Sequence, residues 1–263
     1  MNGNSAAALS VDRLSIRFGG VTAVESMTFE VKEGEVLSLI GPNGAGKTSA
    51  FNAITGYLPA AAGEVVYRGT RLNGLKPSRI AALGVVRTFQ KTSVFAGCSV
   101  LDNIRIGLHL QSRQHPLAII LGWPSVAREE RRLFEKAREV LQFVGIESRR
   151  DDVASSLAYG ELRLLEVAVA LAAQPTLLLL DEPVAGMNST ETTDFMKMLG
   201  RIRALGVTVL LVEHDMKMVM RASDRVVCLN QGRIIADGPP AEIQRHPDVI
   251  RAYLGERHAR AEG

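Results

Sequence analysis

The chain has 263 residues with a formal net charge of +3, and 46% of its residues are hydrophobic and 22% charged. That length accommodates one large domain or a core carrying a subdomain, and the balance of apolar and charged residues excludes the disordered and fibrous classes. The small net charge gives no ground for a nucleic-acid partner, and the two distant cysteines, Cys98 and Cys228, indicate neither a disulfide framework nor a metal site and fit a reducing compartment.

The first ten residues, MNGNSAAALS, lack a basic segment followed by an apolar one and do not read as a signal peptide. Residues 9–18, 27–31 and 64–68 alternate apolar and polar types and predict antiparallel strands. VLSLI at 36–40 predicts a buried strand, 41–46 a glycine-rich turn and 47–55 a helix. From about 99 to 173 the pattern is helical, charged and strand-poor, with apolar residues at helical spacing over 128–144, as in a helical subdomain inserted into an α/β core. The runs 176–180 and 207–212 are short and almost wholly apolar, which suits central parallel strands covered on both faces. Residues 225–236 alternate again around Gln231-Gly232, and 258–263 read as a frayed tail. Strand, helix and strand in this order place the chain in the α/β class. The longest apolar runs, 117–123, 177–180 and 207–212, are far shorter than the roughly 20 residues needed to cross a bilayer. A membrane role therefore requires a partner.

Residues 41–48 read GPNGAGKT and match G-x-x-x-x-G-K-[ST] in full. Each type has a reason. Gly41, Pro42, Asn43, Gly44, Ala45 and Gly46 form a loop whose glycines let backbone N–H groups turn inward around phosphate oxygens. Lys47 brings a positive charge to the β and γ phosphates, and Thr48 offers a hydroxyl to Mg²⁺. The helix that follows, with Ser49 in its first turn, points its positive dipole end at the anion. A glycine turn with a stray lysine is the competing reading, and the strand before and helix after the loop speak against it. Residues 177–183 read LLLLDEP, so a buried strand delivers Asp181 and Glu182 at its carboxyl end, where open α/β sheets bind ligands. Phosphoryl transfer needs positioning and charge neutralisation above all, so Asp181 on Mg²⁺ and Glu182 on the attacking water form a sufficient pair. No N-K-x-D guanine reader and no H-R-D kinase loop is present.

LAYGE at 157–161, opening the helical stretch LRLLEVAVAL shortly before LLLLDEP, completes an ordered set that resembles the nucleotide-binding subunits of ABC transporters, over residues 9–255. The resemblance implies a P-loop NTPase (RecA-like) core, an antiparallel β subdomain and an inserted α-helical subdomain, with 9–95 and 174–255 as core and 96–173 as the helical signature subdomain. It implies ATP as the nucleotide and Mg²⁺ as the cofactor. It places Phe18, before Gly19-Gly20, where an aromatic stacks on adenine; a core phenylalanine is the competing reading. Gln90 in VVRTFQ matches a glutamine that senses Mg²⁺ and links to the membrane subunit, and His214 in LLVEHD a histidine that contacts the γ-phosphate and the water-orienting glutamate. A plain polar strand end and a structural histidine are the alternatives. Residues 185–188 stand at a loop that touches a second ATPase subunit. Leu157, Ala158, Tyr159, Gly160 and Glu161 correspond to the LSGGQ signature, which completes the ATP site of that second subunit, in a homo- or heterodimer. Ala158 lacks the usual serine hydroxyl, and Glu161 replaces glutamine with a charged residue.

GVVRTFQ, LDEPVAGMN, EHDMKMVM and HPDVIRAYLGE are similar to the ATPase subunits of branched-chain amino acid importers, systems with two ATPases, two permeases and an external binding protein. The stretch from about 108 to 124 is similar in position to an insert of that subfamily, or is a capped loop with an apolar patch. The resemblance implies a cytoplasmic protein, peripheral on the inner face of the cell membrane. Importers of urea, amides or aromatic acids, a soluble non-transport ABC ATPase and a non-hydrolysing regulator are the other readings. The single compact cassette disfavours the second of these, and the presence of Glu182 and His214 the third.

Overall fold

The computed structural model describes residues 7–88, 94–108 and 124–253. They fall into two compact units, one made of residues up to 87, 176–182 and those from 199 onward, the other of 88–175 and 183–198.

The first unit opens with β1 (Ala7–Phe18) and β2 (Val21–Lys32). Then come β3 (Val36–Ile40), α1 (Lys47–Ile54), β4 (Ala62–Tyr67), β5 (Thr70–Arg71), α2 (Pro77–Ala82) and β6 (Val85–Arg87). The second unit holds α3 (Val100–Gly107), α4 (Pro124–Val144) and α5 (Tyr159–Ala172). The chain returns to the first unit through β7 (Leu177–Asp181), passes into α6 (Ser189–Ala204), whose residues up to 198 belong to the second unit, and continues with β8 (Thr208–Val212), α7 (Met216–Ala222), β9 (Arg225–Asn230), β10 (Arg233–Gly238) and α8 (Pro240–Ile243).

Two sheets build the first unit. One is antiparallel with the order β2-β1-β4-β5; the other has the order β10-β9-β3-β8-β7-β6. In the second sheet β3, β6, β7, β8 and β9 are parallel neighbours, and every residue of β3, β7 and β8 is buried. These strands read as almost wholly apolar runs because both of their faces are covered. The side-chain period of two sorts β9 cleanly: Val227 and Leu229 join the core shared with α1 and the antiparallel sheet, while Val226 and Cys228 face the layer of Val219, Ile243 and Val249.

The hairpin of β9 and β10 turns on Gln231 (φ 46°) and Gly232 (φ 79°), the two consecutive positive φ values of a type I′ turn. Its antiparallel pairing is the one that alternation predicts. Its first strand also lies parallel to β3, so the hairpin extends the central sheet. Arg225 fastens this edge: Nε donates to Glu35 Oε1 at 2.8 Å, Nη1 to both Asp237 oxygens at 2.9 Å, and Nη2 to the Glu30 carbonyl. Burial works to lower the Arg225 pKa, but the hydrogen bond it donates to Glu35 and the charges of Glu35 and Asp237 outweigh it and hold the group above the usual arginine value. Arg225→Ala leaves the nearly buried Glu35 without its cation and is expected to cost about 3 kcal/mol. A thermal melt of the nucleotide-free protein should fall by about 5–10 °C; a shift below about 2 °C would show the network to be dispensable.

In the second unit Ser99 caps α3, accepting from the Asp102 N–H at 3.0 Å. Asn103, buried, holds the preceding loop by exchanging hydrogen bonds with the Phe95 backbone. Most of the 108–124 stretch and the 258–263 tail lie outside the described residues.

Candidate active site

The phosphate loop leaves the end of β3 at Gly41, where φ is 148° and a Cβ would sit 2.1 Å from the Leu229 carbonyl oxygen. At Gly46, φ is 105° and a Cβ would meet the Ala23 carbonyl oxygen at 2.5 Å. Any side chain at either position collides with backbone that cannot yield, so both glycines are sterically required. Lys47 opens α1 and is 8% exposed; its Nζ donates to the Gly41 and Pro42 carbonyls at 2.7 and 2.9 Å. The loop thus holds its own ammonium inside the cradle. Asn43, Gly44 and Thr48 are exposed, Ser49 and Gly46 partly so, and Pro42 and Ala45 are buried. Cys228 pairs with Ile40 behind this loop; burial pushes its thiol up to about 12 against the pull of Lys47, so it brings no charge to the site.

Strand register brings the carboxylates to the same edge. Leu39, Val212 and Asp181 form one row across β3, β8 and β7, which places Asp181 two strand spacings, about 10 Å, from the strand that carries the phosphate loop. Asp181 is 2% exposed. Arg87, at the end of β6, donates from Nη2 to Asp181 Oδ2 at 2.7 Å and from Nη1 to Asn52 Oδ1 at 2.6 Å. Sequence reasoning passed over this arginine because the segment VVRTFQ drew attention to its glutamine. Its signal is a lone charge in a short apolar strand next to LLLLDEP. Gln90 itself lies outside the described residues.

Glu182 leaves the strand geometry at φ 49°, with its N–H bonded to the Val212 carbonyl at 2.9 Å. A non-glycine residue in this region costs on the order of 1–3 kcal/mol and persists only where its surroundings enforce it. The turn swings the Glu182 carboxylate towards His214, whose Nδ1 lies 3.9 Å from Oε1 and 4.0 Å from Glu213 Oε2. His214 is 60% exposed and Glu213 is buried, so the histidine faces outward from an acidic base. Phe18 is 48% exposed at the end of β1 and so is not a core phenylalanine.

The second unit carries LAYGE. Ala158 is the N-cap of α5 and, having no side-chain oxygen, accepts no capping bond. Glu161 supplies the other half of a capping box by accepting from the Ala158 N–H at 3.0 Å, and it also pairs with Arg149 at 3.3 Å. The charge that replaces glutamine therefore has a local structural use. Glu191 packs on Gly160, where a Cβ would lie 2.6 Å from its Oε1. The ring of Tyr159 packs on Gly186, and its hydroxyl accepts from Arg163 Nη2 at 2.8 Å. Arg163 is buried and bonded to Glu166 at 2.8 Å; burial lowers its pKa, but Glu166 and Tyr159 outweigh this and raise it overall. Residues 157–161 and the segment 186–191 are thereby locked together. Gly186→Ala combines a φ of 77° with a contact of 2.7 Å to Tyr159 Cε1 and is expected to cost about 2 kcal/mol. Adding Tyr159→Ala should recover the contact part but not the backbone part; full recovery would place the whole cost in the ring contact.

The glycine cradle, the buried lysine and the strand-end carboxylates suit a nucleotide phosphate chain. A model of the ABC transporter family matches residues 24–185. The chain belongs to the ABC transporter family. A second model, of branched-chain amino acid ATP-binding cassette transporters, matches residues 233–259 of this ABC protein. The protein is 43% identical over 249 residues, 94% of its length and 98% of the relative, to the high-affinity branched-chain amino acid transport ATP-binding protein LivG of Salmonella typhimurium. The same figures hold for BraF of Pseudomonas aeruginosa. It is 33% identical over 95% of its length, and 98% of the relative, to the lipopolysaccharide export system ATP-binding protein LptB of Escherichia coli. Its fold matches the ADP conformation of an ATP-binding cassette of an ABC transporter, with a TM-score of 0.84 and 29% identity over 95% of this chain and all of the other. As an ABC cassette the protein has the P-loop NTPase fold and is an ATP-binding ATPase.

Proposed function

We propose that this chain is the ATP-hydrolysing subunit of an ABC importer for branched-chain or other hydrophobic amino acids. The observation that carries this is the end-to-end likeness to LivG and BraF, joined to the match of the subfamily model at 233–259. The likeness to an export ATPase is weaker, at 33% identity.

In this reading the loop at 41–46 and Lys47 bind the β and γ phosphates, and Phe18 stacks on the adenine. The donor set fits a magnesium ion: Thr48 and the buried carboxylate of Asp181 are hard oxygen ligands, few in number, and Mg²⁺ shared with phosphates takes only one or two from a protein. Gln90 is the third candidate ligand. The ion would neutralise charge on the transferring phosphoryl group. Glu182 orients and polarises the attacking water, and His214, 3.9 Å away, contacts both that glutamate and the γ-phosphate. The signature from Leu157 to Glu161 acts on the ATP of a second cassette, so that hydrolysis controls closure of the pair.

Among the described residues no helix is long and apolar enough to cross a membrane. The subunit works at the inner face of the cell membrane, attached to permeases that an external binding protein supplies. Purification of the complex from the native membrane tests this. Permeases and a binding protein that takes up leucine, isoleucine or valine support the reading; a partner set without permeases removes it, and a binding protein specific for urea, amides or aromatic acids changes the cargo.

A further inference from the structure

Arg87 is tied to three segments at once. It ends β6, with its side chain 5% exposed. Its guanidinium carbon lies 5.3 Å from the centre of the Phe51 ring, its Nη1 bonds Asn52, and its Nη2 bonds Asp181. Phe51 and Asn52 belong to the helix that follows the phosphate loop, and Asp181 ends β7. A carboxylate that is 2% exposed needs a counter-charge to remain ionised. A delocalised, weakly hydrated guanidinium with two forked donors suits that place better than an ammonium.

We propose that Arg87 is a positioning residue that serves as the standing counter-ion of Asp181, making nucleotide binding less dependent on the divalent metal than Asp181 alone would make it. The inference rests on the reading of Asp181 as the metal-side carboxylate. Two consequences share one sign. The guanidinium and a divalent cation compete for the charge of one carboxylate, so Arg87 weakens the contribution of the metal. Its charge, bonded to the helix that follows the phosphate loop, also supports nucleotide binding when metal is absent. Its hold on Asn52 keeps the phosphate-loop helix and Asp181 in one frame in either condition.

The test compares the dissociation constant of a fluorescent ATP analogue in EDTA with that in Mg²⁺, for the full chain and for Arg87→Met, Arg87→Lys and Asp181→Asn. The quantity read is the ratio of the first constant to the second. Arg87→Met is expected to raise that ratio at least about tenfold, because the metal takes over a lost counter-charge. Arg87→Lys should raise it by less, since one ammonium keeps the charge but cannot bridge Asn52 and Asp181 together. Asp181→Asn should lower it. A ratio that is unchanged or smaller in Arg87→Met, with binding weakened equally in both buffers, is what a merely structural arginine gives, and it overturns the inference. Should the methionine variant not fold, Arg87→Lys decides in the same way. A ratio unaltered in Asp181→Asn removes the metal role of Asp181 itself. A ratio lowered there but unmoved in the arginine variants removes only the role of Arg87.

Discussion

Glu182→Gln is expected to bind ATP about as well as the parent chain while hydrolysing it slower by a factor of roughly 10²–10⁴. The substitution keeps volume, hydrogen-bonding capacity and the turn at φ 49°, and it removes only the charge that, in the proposed reading, polarises water. Because hydrolysis is what reopens a closed pair of cassettes in this reading, the variant should also accumulate as an ATP-bound dimer on gel filtration. Phosphate release at the parental rate would take the general-base role from Glu182. The neighbouring geometry supplies a second handle. His214 Nδ1 lies 3.9 Å from Glu182 Oε1 and is largely exposed, so His214→Ala should lower turnover with little change in thermal stability. A large drop in melting temperature would instead mark the histidine as structural.

Lys47→Ala is expected to lose most nucleotide affinity. In the proposed reading the ammonium makes charge-assisted hydrogen bonds to phosphate oxygens worth on the order of 3 kcal/mol, roughly a hundredfold in dissociation constant. In the structure the same group donates to the Gly41 and Pro42 carbonyls at 2.7 and 2.9 Å. Its removal takes the ammonium from both carbonyls, the Pro42 carbonyl keeping the Ala45 N–H at 3.2 Å, and the loop should also lose order. Calorimetric titration with ATP separates the outcomes: an affinity within about threefold of the parent would dissociate the lysine from phosphate binding. Arg225→Ala should lower stability with nucleotide affinity retained, which distinguishes damage to the frame from damage to the site.

The carboxylates and the phosphate loop depend on one another through the sheet. Asp181 reaches the site because β7 lies beside β8 and β8 beside β3, in a register that puts Leu39, Val212 and Asp181 in one row. A slip of one residue in either pairing would turn Asp181 to the opposite face. The strands resist such a slip because all five residues of each are buried between two apolar layers.

Much of this was legible in the residues alone, wherever the physics is local. Gly41 to Thr48 declare a phosphate loop because backbone conformation and side-chain chemistry are specified within eight consecutive positions. VLSLI, TLLLL at 176–180 and VTVLLV at 207–212 declare buried strands by composition, and the alternation at 225–236 with Gln231-Gly232 declares a hairpin by the turn it requires. Three features came only from tertiary structure. The hairpin was legible, but its place beside β3 in the central sheet was not, since a two-residue period says nothing of which neighbour a strand takes. Glu161 read as an added charge, and its bonds to the Ala158 N–H and Arg149 depend on how the preceding loop folds back. The pairing of Arg87 with Asp181 joins positions 94 residues apart, and β6, three residues long, is too short to show a pattern. Local spacing determines what a segment can do; which charges share a buried site is decided by strand order, because only the completed sheet brings distant strand ends to one edge.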